Sequence, residues 1–289
     1  MKQLANISLF SVIFPYFATM KRTMITLLVL LVPAVASARP DSLLVVFWNT
    51  ENFFLNTVGF ETKCNAISKI IFRIADDYGR LPDAIGLAEV ENAEVLKRLV
   101  GITPLRKAGY SVIHFESPDH RGIDCALLYR KSSLELSEAR PVHIVSDDGE
   151  ILPTRDILLA RFDSLAILVN HHPSKVGDDS EKRRDLAMAR LQEVCDSLDV
   201  PWIATGDFNE DLWGDPSAHG TIKYNGKWEK IDGCFLKGFA YSRESVLVYP
   251  SLLEKDRAYG GMKPRRCFIG PRYNGGVSDH LPIAVVVGF

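Results

Sequence analysis

Trp202-Ile203-Ala204-Thr205-Gly206-Asp207-Phe208-Asn209 is a short apolar run that stops in a carboxylate and an amide two residues apart. In extended backbone, residues i and i+2 face the same way, so Asp207 and Asn209 converge while Phe208 turns into the core. Gly-Asp and Asn are also turn formers, and taken alone this stretch reads more readily as a turn. Its weight comes from repetition. Residues 43–48 run into Asn49-Thr50-Glu51-Asn52, residues 84–88 into Glu89, and residues 165–169 into Asn170-His171-His172, while Ser278-Asp279-His280 stands before the last apolar run, 283–287. Ligands bind beyond the ends of strands, so five such junctions with chemically able side chains point to one site built from many strands.

The runs themselves are short and apolar throughout: besides those above, residues 123–129, 157–162 and 231–236 read as strands buried on one or both faces. Helices are fewer. Ile67, Ile70, Ile71 and Ile74 have the spacing of an amphipathic helix, as do Ala187, Leu191, Val194, Cys195 and Leu198, for which Ser180 is a candidate N-cap. Strands thus outnumber helices about two to one, which suits two packed sheets with helices outside better than evenly alternating strands and helices. The 289 residues are 47% hydrophobic and 24% charged, without linker, repeat or low-complexity tract, so residues 39–289 read as one large domain.

Residues 1–38 stand apart. They hold no acidic residue, and Lys21-Arg22 precede an apolar run, 25–34, that leads into Ala36-Ser37-Ala38. A basic start, a short apolar stretch and an Ala-x-Ala site make a secretory signal peptide. The apolar run is shorter than the roughly 20 residues of a spanning helix. Met20-Lys21-Arg22 would itself begin a normal signal, which makes residues 1–19 surplus. The expected location is therefore periplasmic or extracellular. Removing residues 1–38 moves the formal balance from 34 basic against 36 acidic residues to 31 against 36, or −5. A mildly acidic protein is not a general nucleic-acid coat, although a local basic patch remains open to it. The five cysteines include no Cys-x-x-Cys spacing for zinc; Cys64 and Cys267, in loop-like contexts, are the pair that could bridge in an oxidising compartment.

The polar junctions divide by chemistry. Asn49, Glu51, Glu89 and Asp279 offer hard oxygen donors of the kind that suit Mg²⁺, Mn²⁺ or Ca²⁺. Glu89 has a rival use, as the acid at the start of a helix over 91–100. Asp279 and His280 are adjacent, so in a strand they point apart and serve different partners. A histidine that is to act as general acid or as imidazolium needs an acceptor to hold its ring. Asp232, at a polar break in residues 230–235, is the candidate for His280, against the ordinary use of a lone buried Asp in capping backbone amides.

In this order, Asn49/Glu51, Glu89, His171, Asp207-Phe208-Asn209, Asp232 and Asp279-His280 resemble the successive motifs of the endonuclease/exonuclease/phosphatase superfamily, the deoxyribonuclease-I-like fold. The resemblance runs from about Leu43 to Phe289, and its most specific pieces are 205–209 and 276–282. It implies a four-layered αββα sandwich of two mixed sheets and a divalent-metal-dependent phosphoric ester hydrolase. It makes Glu89 the principal metal ligand, with Asn49, Glu51 and Asp279 as ligands or close behind them. Asp207 would orient or deprotonate the attacking water, Asn209 would hold the phosphate, and His171 and His280 would flank it, with Asp232 orienting His280. His172 competes with His171 for its role, and Asp124 stands where the family often places a partner for that first histidine.

The substrate is less constrained. Residues 254–272 carry Lys255, Arg257, Lys263, Arg265, Arg266 and Arg272 against Glu254 and Asp256, a net +4 immediately before the Ser278-Asp279-His280 triplet. Such a loop suits a polyanion, with Arg265, Arg266 and Arg272 as phosphate contacts and Tyr259, Phe268 and Tyr273 able to stack on bases; a solvated surface loop is the bland alternative. Arg183 and Arg184 are further phosphate contacts or solvent-facing. The leading expectation is a secreted nuclease or phosphodiesterase acting on nucleic acid. The alternatives are a lipid or small-molecule phosphoesterase, sphingomyelinase-like or acting on inositol phosphates, and an inactive binding module. No stable membrane span and no protein partner are implied.

Overall fold

The computed structural model describes residues 41–177, 179–212 and 219–289; the expected signal peptide lies outside them. Two mixed sheets form the centre. In order across the first lie β12 (Tyr241–Val246), β17 (Ile283–Gly288), β1 (Ser42–Phe53), β2 (Ala84–Val90), β4 (Asp124–Arg130) and β3 (Tyr110–His114). The second runs β11 (Asp232–Lys237), β8 (Trp202–Asp207), β7 (Ala166–His171), β6 (Ile157–Phe162) and β5 (Leu136–Val142). β1 pairs parallel with β2, and β7 with β8; the other pairs in these sheets are antiparallel.

Helix α1 (Phe60–Tyr78) and α2 (Ala93–Ile102) pack on the outer face of the first sheet, and α3 (Ser180–Ser197) on that of the second. This is the αββα sandwich the strand count implied. Ile67, Ile71 and Ile74 of α1 are buried against Leu44, Val46 and Trp48, each such side chain contributing about 1.5–3 kcal/mol of apolar burial. Between the sheets, Val45, Phe47, Ile283 and Val285 meet Ile167, Val169 and Ile203.

Four local expectations change. The residue before α3 is Asp179, with Ser180 already helical and its Oγ donating to Lys175 O. α2 is capped by Asn92, whose Oδ1 accepts from Glu94 N and Val95 N, so Glu89 is not needed at that helix end. Cys64 lies inside α1 and is buried, and it and Cys267 are free thiols. The basic segment 254–272 is no loop but two hairpins, β13 (Leu253–Lys255) with β14 (Met262–Pro264) and β15 (Phe268–Ile269) with β16 (Arg272–Tyr273). A third hairpin, β9 (Ile222–Tyr224) with β10 (Lys227–Glu229), was not foreseen.

Candidate active site

β7 and β8 end in register, His171 opposite Asp207, and β11 begins with Asp232 opposite the same Asp207. Gly206 permits this closeness: a Cβ there would lie 2.5 Å from Asn170 O. From the other sheet, β1 delivers Asn49 and β2 delivers Glu89. Asn49 Nδ2 donates to Asp207 Oδ2 at 3.0 Å and approaches Glu89 Oε1 at 3.4 Å, so one amide ties the two sheets together at their edge. Past Asn49 the chain leaves extended geometry, with Glu51, Asn52 and Glu89 all at positive φ. Non-glycine residues held there cluster at functional sites. The bend lets Asn52 N reach Glu89 Oε2 at 2.7 Å and Glu51 N reach Asn49 Oδ1 at 3.0 Å.

His280 and Asp232 form the second part. His280 Nδ1 lies 2.8 Å from Asp232 Oδ2, and its Nε2 lies 3.9 Å from both Asp207 Oδ2 and Asp279 Oδ1. Ser278 Oγ donates to Asn49 O while accepting from His280 N, and Trp48 Nε1 donates to His280 O, which fixes the triplet to β1. Burial opposes a charged ring, but Asp232, Asp207 and Asp279 outweigh it and hold the His280 proton affinity well above the ordinary value. Burial and the Asp232 charge push Asp207 up to about 7, against the pull of His280 and Asn49. A carboxylate tuned near neutrality is suited to taking a proton at physiological pH.

His171 Nε2 lies 3.7 Å from Asp207 Oδ2 and 3.9 Å from Glu89 Oε1. His172 does not face this cluster: its ring packs edge-on against Phe208 at 5.1 Å, and neither ring nitrogen has a hydrogen-bond partner among the described residues. Burial, then Arg155, lowers both rings, His172 to about 3. Asp124 accepts from Ser117 and lies 3.3 Å from His114 Nε2, so its partners are these and not His171. Asn209 Nδ2 donates to His172 O at 3.0 Å, and its N to Asp207 Oδ1.

Glu51 and Asp279 are joined through Arg266, whose Nε donates to Glu51 Oε1 and whose Nη2 lies 2.9 Å from Asp279 Oδ2; the other Glu51 oxygen accepts from Cys267 N. Arg266 therefore stands inside the carboxylate cluster. Arg265 Nη2 donates to Asn274 O, and Arg272 is exposed on β16. Lys263 is 3.6 Å from Glu254, so one cation of the basic segment is paired within it, while Asp256 is held at 2.9 Å by Lys223 from outside the segment. Phe268 and Tyr273 lie edge to face at 5.6 Å, and Tyr273 covers Gly59, leaving Tyr259 the exposed aromatic of the three.

Two supporting residues, Lys63 and Arg155, escaped the sequence reading, and a third, Arg184, lies elsewhere than expected. Buried Lys63 donates to Glu51 O at 2.6 Å; its place on the buried Phe60, Lys63, Cys64, Ile67 face of α1 was the available signal. Arg155, before β6, donates to His172 O and pairs with Asp119 at 3.3 Å; a charged Thr-Arg-Asp before an apolar run was its signal. Arg184, expected at a phosphate or in solvent, is buried instead, pairing with Glu210 and donating to Ser174 O, and so clamps the loop after His172.

The model of the Endonuclease/Exonuclease/phosphatase family matches residues 46–236. The chain belongs to this family. No curated protein matches it in sequence. Among solved structures, a humanised D. rerio TDP2 superposes with TM-score 0.56 at 17% identity over 86% of this chain and 100% of that one. A Bacteroides thetaiotaomicron mannosyl-6-phosphatase gives 0.54 at 17% over 86% and 100%, and the human Nocturnin catalytic domain 0.53 at 17% over 86% and 95%. At such identities the likeness shows the fold. Members of the endonuclease/exonuclease/phosphatase family are metal-dependent phosphoesterases, and the donor set here fits a divalent ion. Asn49, Glu51, Glu89 and Asp279 provide oxygen donors only, and a cation, the Arg266 guanidinium, already lies among them.

Proposed function

We propose that the protein is an exported, Mg²⁺- or Mn²⁺-dependent phosphodiesterase that hydrolyses nucleic acid. The observation that carries the chemistry is the convergence of Asn49, Glu89, His171, Asp207 and His280 from both sheets within hydrogen-bond or ion-pair reach of one another. Glu89, with Asn49 and Asp279, would hold the ion, with Glu51 close behind them; when bound, the ion would neutralise charge on the phosphate oxygens. Asp207, held by Asn49 Nδ2 and Asn209 N, takes the proton of the attacking water. His280, kept cationic by Asp232, and neutral His171 flank the phosphate as fixed donors, and His280 gives a proton to the leaving oxygen. Preorganised charge of this kind supplies most of the rate enhancement in many enzymes.

The net +4 of residues 254–272 supports a polyanionic substrate, as does a D. rerio TDP2 structure complexed with a single-strand DNA product. A second reading, a small sugar-phosphate phosphatase, is supported by the local pairing of Lys263 and Arg266 and by the Bacteroides thetaiotaomicron mannosyl-6-phosphatase. Purified protein incubated with linear DNA, RNA, sphingomyelin and hexose phosphate separates them. Cleaved DNA or RNA is the expected outcome; intact nucleic acid beside hydrolysed lipid or sugar phosphate would overturn the nuclease reading. Export rests on the composition of residues 1–38, and N-terminal sequencing of the native protein is expected to begin near Arg39; a start at Met1 or Met20 contradicts it.

A further inference from the structure

The segments that follow Glu89 and the Phe54–Gly59 turn line a groove of about 470 Å³, within the roughly 300–1,000 Å³ range of small-ligand clefts. Three segments form it: Phe54 and Asn56 after β1, Glu91 and Asn92 after β2, and Glu116 and Arg121 between β3 and β4. All three leave the same sheet edge that delivers Asn49 and Glu89, so the groove opens where the candidate active site ends.

Arg121 is a placed residue. Asp119, buried, accepts from Arg121 N at 2.9 Å, lies 3.3 Å from Arg121 Nε and pairs through its other oxygen with Arg155, which holds the His172 carbonyl. The groove-lining guanidinium is thus linked through Asp119 and Arg155 to the His172 carbonyl, with 47% of its side chain exposed. Its charge reaches His171, whose proton affinity it helps to depress. Asn92 has its Oδ1 committed to α2, so toward a ligand it can only donate. Phe54 offers a ring face and Asn56 an exposed amide. Two carboxylates line the same groove: Glu116, 71% exposed at its side chain and so farther out than Arg121, and Glu91, one of whose oxygens accepts from Leu55 N.

We propose that this groove is a substrate subsite that takes one uncharged, hydroxyl-bearing ring esterified to the scissile phosphate, with Arg121 at its inner end and a carboxylate rim that rejects a second phosphate beyond the ring. The amides and carboxylates suit hydroxyl groups, and the aromatic face suits a ring. The inference rests on the phosphoesterase reading and sharpens it. A polyanion approaches along the basic hairpins, but on the groove side of the scissile bond only a terminal group fits. That ring is either the end nucleoside of a strand or the sugar of a sugar phosphate.

The test compares bis(4-nitrophenyl) phosphate, a dinucleoside monophosphate, a linear oligonucleotide, a hexose 6-phosphate and circular plasmid DNA. Hydrolysis of the dinucleotide and shortening of the oligonucleotide name the nucleoside as the source; hydrolysis of the hexose phosphate names the sugar. The circular plasmid is expected to stay intact. Arg121→Ala should lower kcat/KM on the responding substrate at least ten times more than on the aryl diester, with the change mainly in KM. Glu116→Lys, at a side chain 71% exposed, should raise plasmid nicking relative to the dinucleotide without loss of melting temperature. Nicking of circular DNA at the rate of linear shortening overturns the subsite, as does an equal loss on both substrates in Arg121→Ala. Aryl diester turnover with every ring-bearing substrate silent overturns the subsite alone; silence on all substrates overturns the phosphoesterase reading with it.

Discussion

Replacing Asp232 by Asn isolates the electrostatic half of the site. The side chain keeps its size and an acceptor for His280 Nδ1, now 2.8 Å away, but loses its charge in a place where both residues are buried. At an effective dielectric near 20, a unit pair at about 4 Å is worth about 4 kcal/mol, and losing it lowers the His280 proton affinity. Burial, the largest influence on the ring, is then opposed only by Asp207 and Asp279, and His280 should lose its proton below neutrality. The sign for stability follows. A histidine raised in the folded state adds stability in full below its unfolded value, and that stability fades as pH rises through the folded value. Wild type should therefore keep this contribution at neutral pH and lose it only in the alkaline range, whereas the variant should lack it already at neutral pH. The assay is an NMR titration of the His280 ring beside a kcat/KM profile. The expected result is a neutral ring at pH 7 and a loss of about 10²–10⁴ in turnover, the usual worth of positioned acid–base catalysis. A ring still protonated at neutral pH in Asp232→Asn, or unchanged turnover, would refute the reasoning.

Gly206→Ala should cost about 1–3 kcal/mol, because its Cβ meets Asn170 O at 2.5 Å. Turnover should fall by more than the melting shift explains, since β8 must move Asp207 away from His171; equal activity at equal temperature would contradict the register argument. His172, buried with its proton affinity lowered from 6.5 to about 3, binds more protons unfolded than folded between those values, so stability falls as the solution is acidified through that window. In His172→Phe the acid slope of the unfolding free energy should be shallower by up to about 1.4 kcal/mol per pH unit, and an unchanged slope counts against a neutral His172. Arg266→Gln removes the cation between Glu51 and Asp279. Its melting temperature without metal should fall, and the rise produced by added Mg²⁺ should exceed that of wild type; a smaller rise would mean that Arg266 helps to hold the ion.

The sandwich was legible because its strands are short, apolar and interrupted at their ends by polar residues, and because the isoleucine face of α1 repeats at helical spacing. The positions of Asn49, Glu89, Asp207 and His280 followed from the same interruptions. What local pattern could not show was pairing across long separations. Arg266 reads as one more basic residue in a charged run, yet it closes on Glu51, 215 positions away. Lys63 and Arg155 look like ordinary surface cations until the fold buries them under the histidines and carboxylates. The choice between His171 and His172 depends on which neighbour alternates to the sheet face that carries Asp207, and a strand end gives no sign of that. The cap of α2 was open for a related reason, since Glu89 and Asn92 both stand near its start and the positive φ at Glu89 decides which one turns away.

The most direct test of the central claim is the hydrolysis of bis(4-nitrophenyl) phosphate by purified protein, with EDTA, with Mg²⁺ or Mn²⁺ restored, and with Glu89→Gln in parallel. The account predicts turnover that EDTA abolishes, that either ion restores, and that Glu89→Gln lacks at every metal concentration while its melting temperature stays near that of wild type. Hydrolysis that persists in EDTA, or in Glu89→Gln, would contradict it.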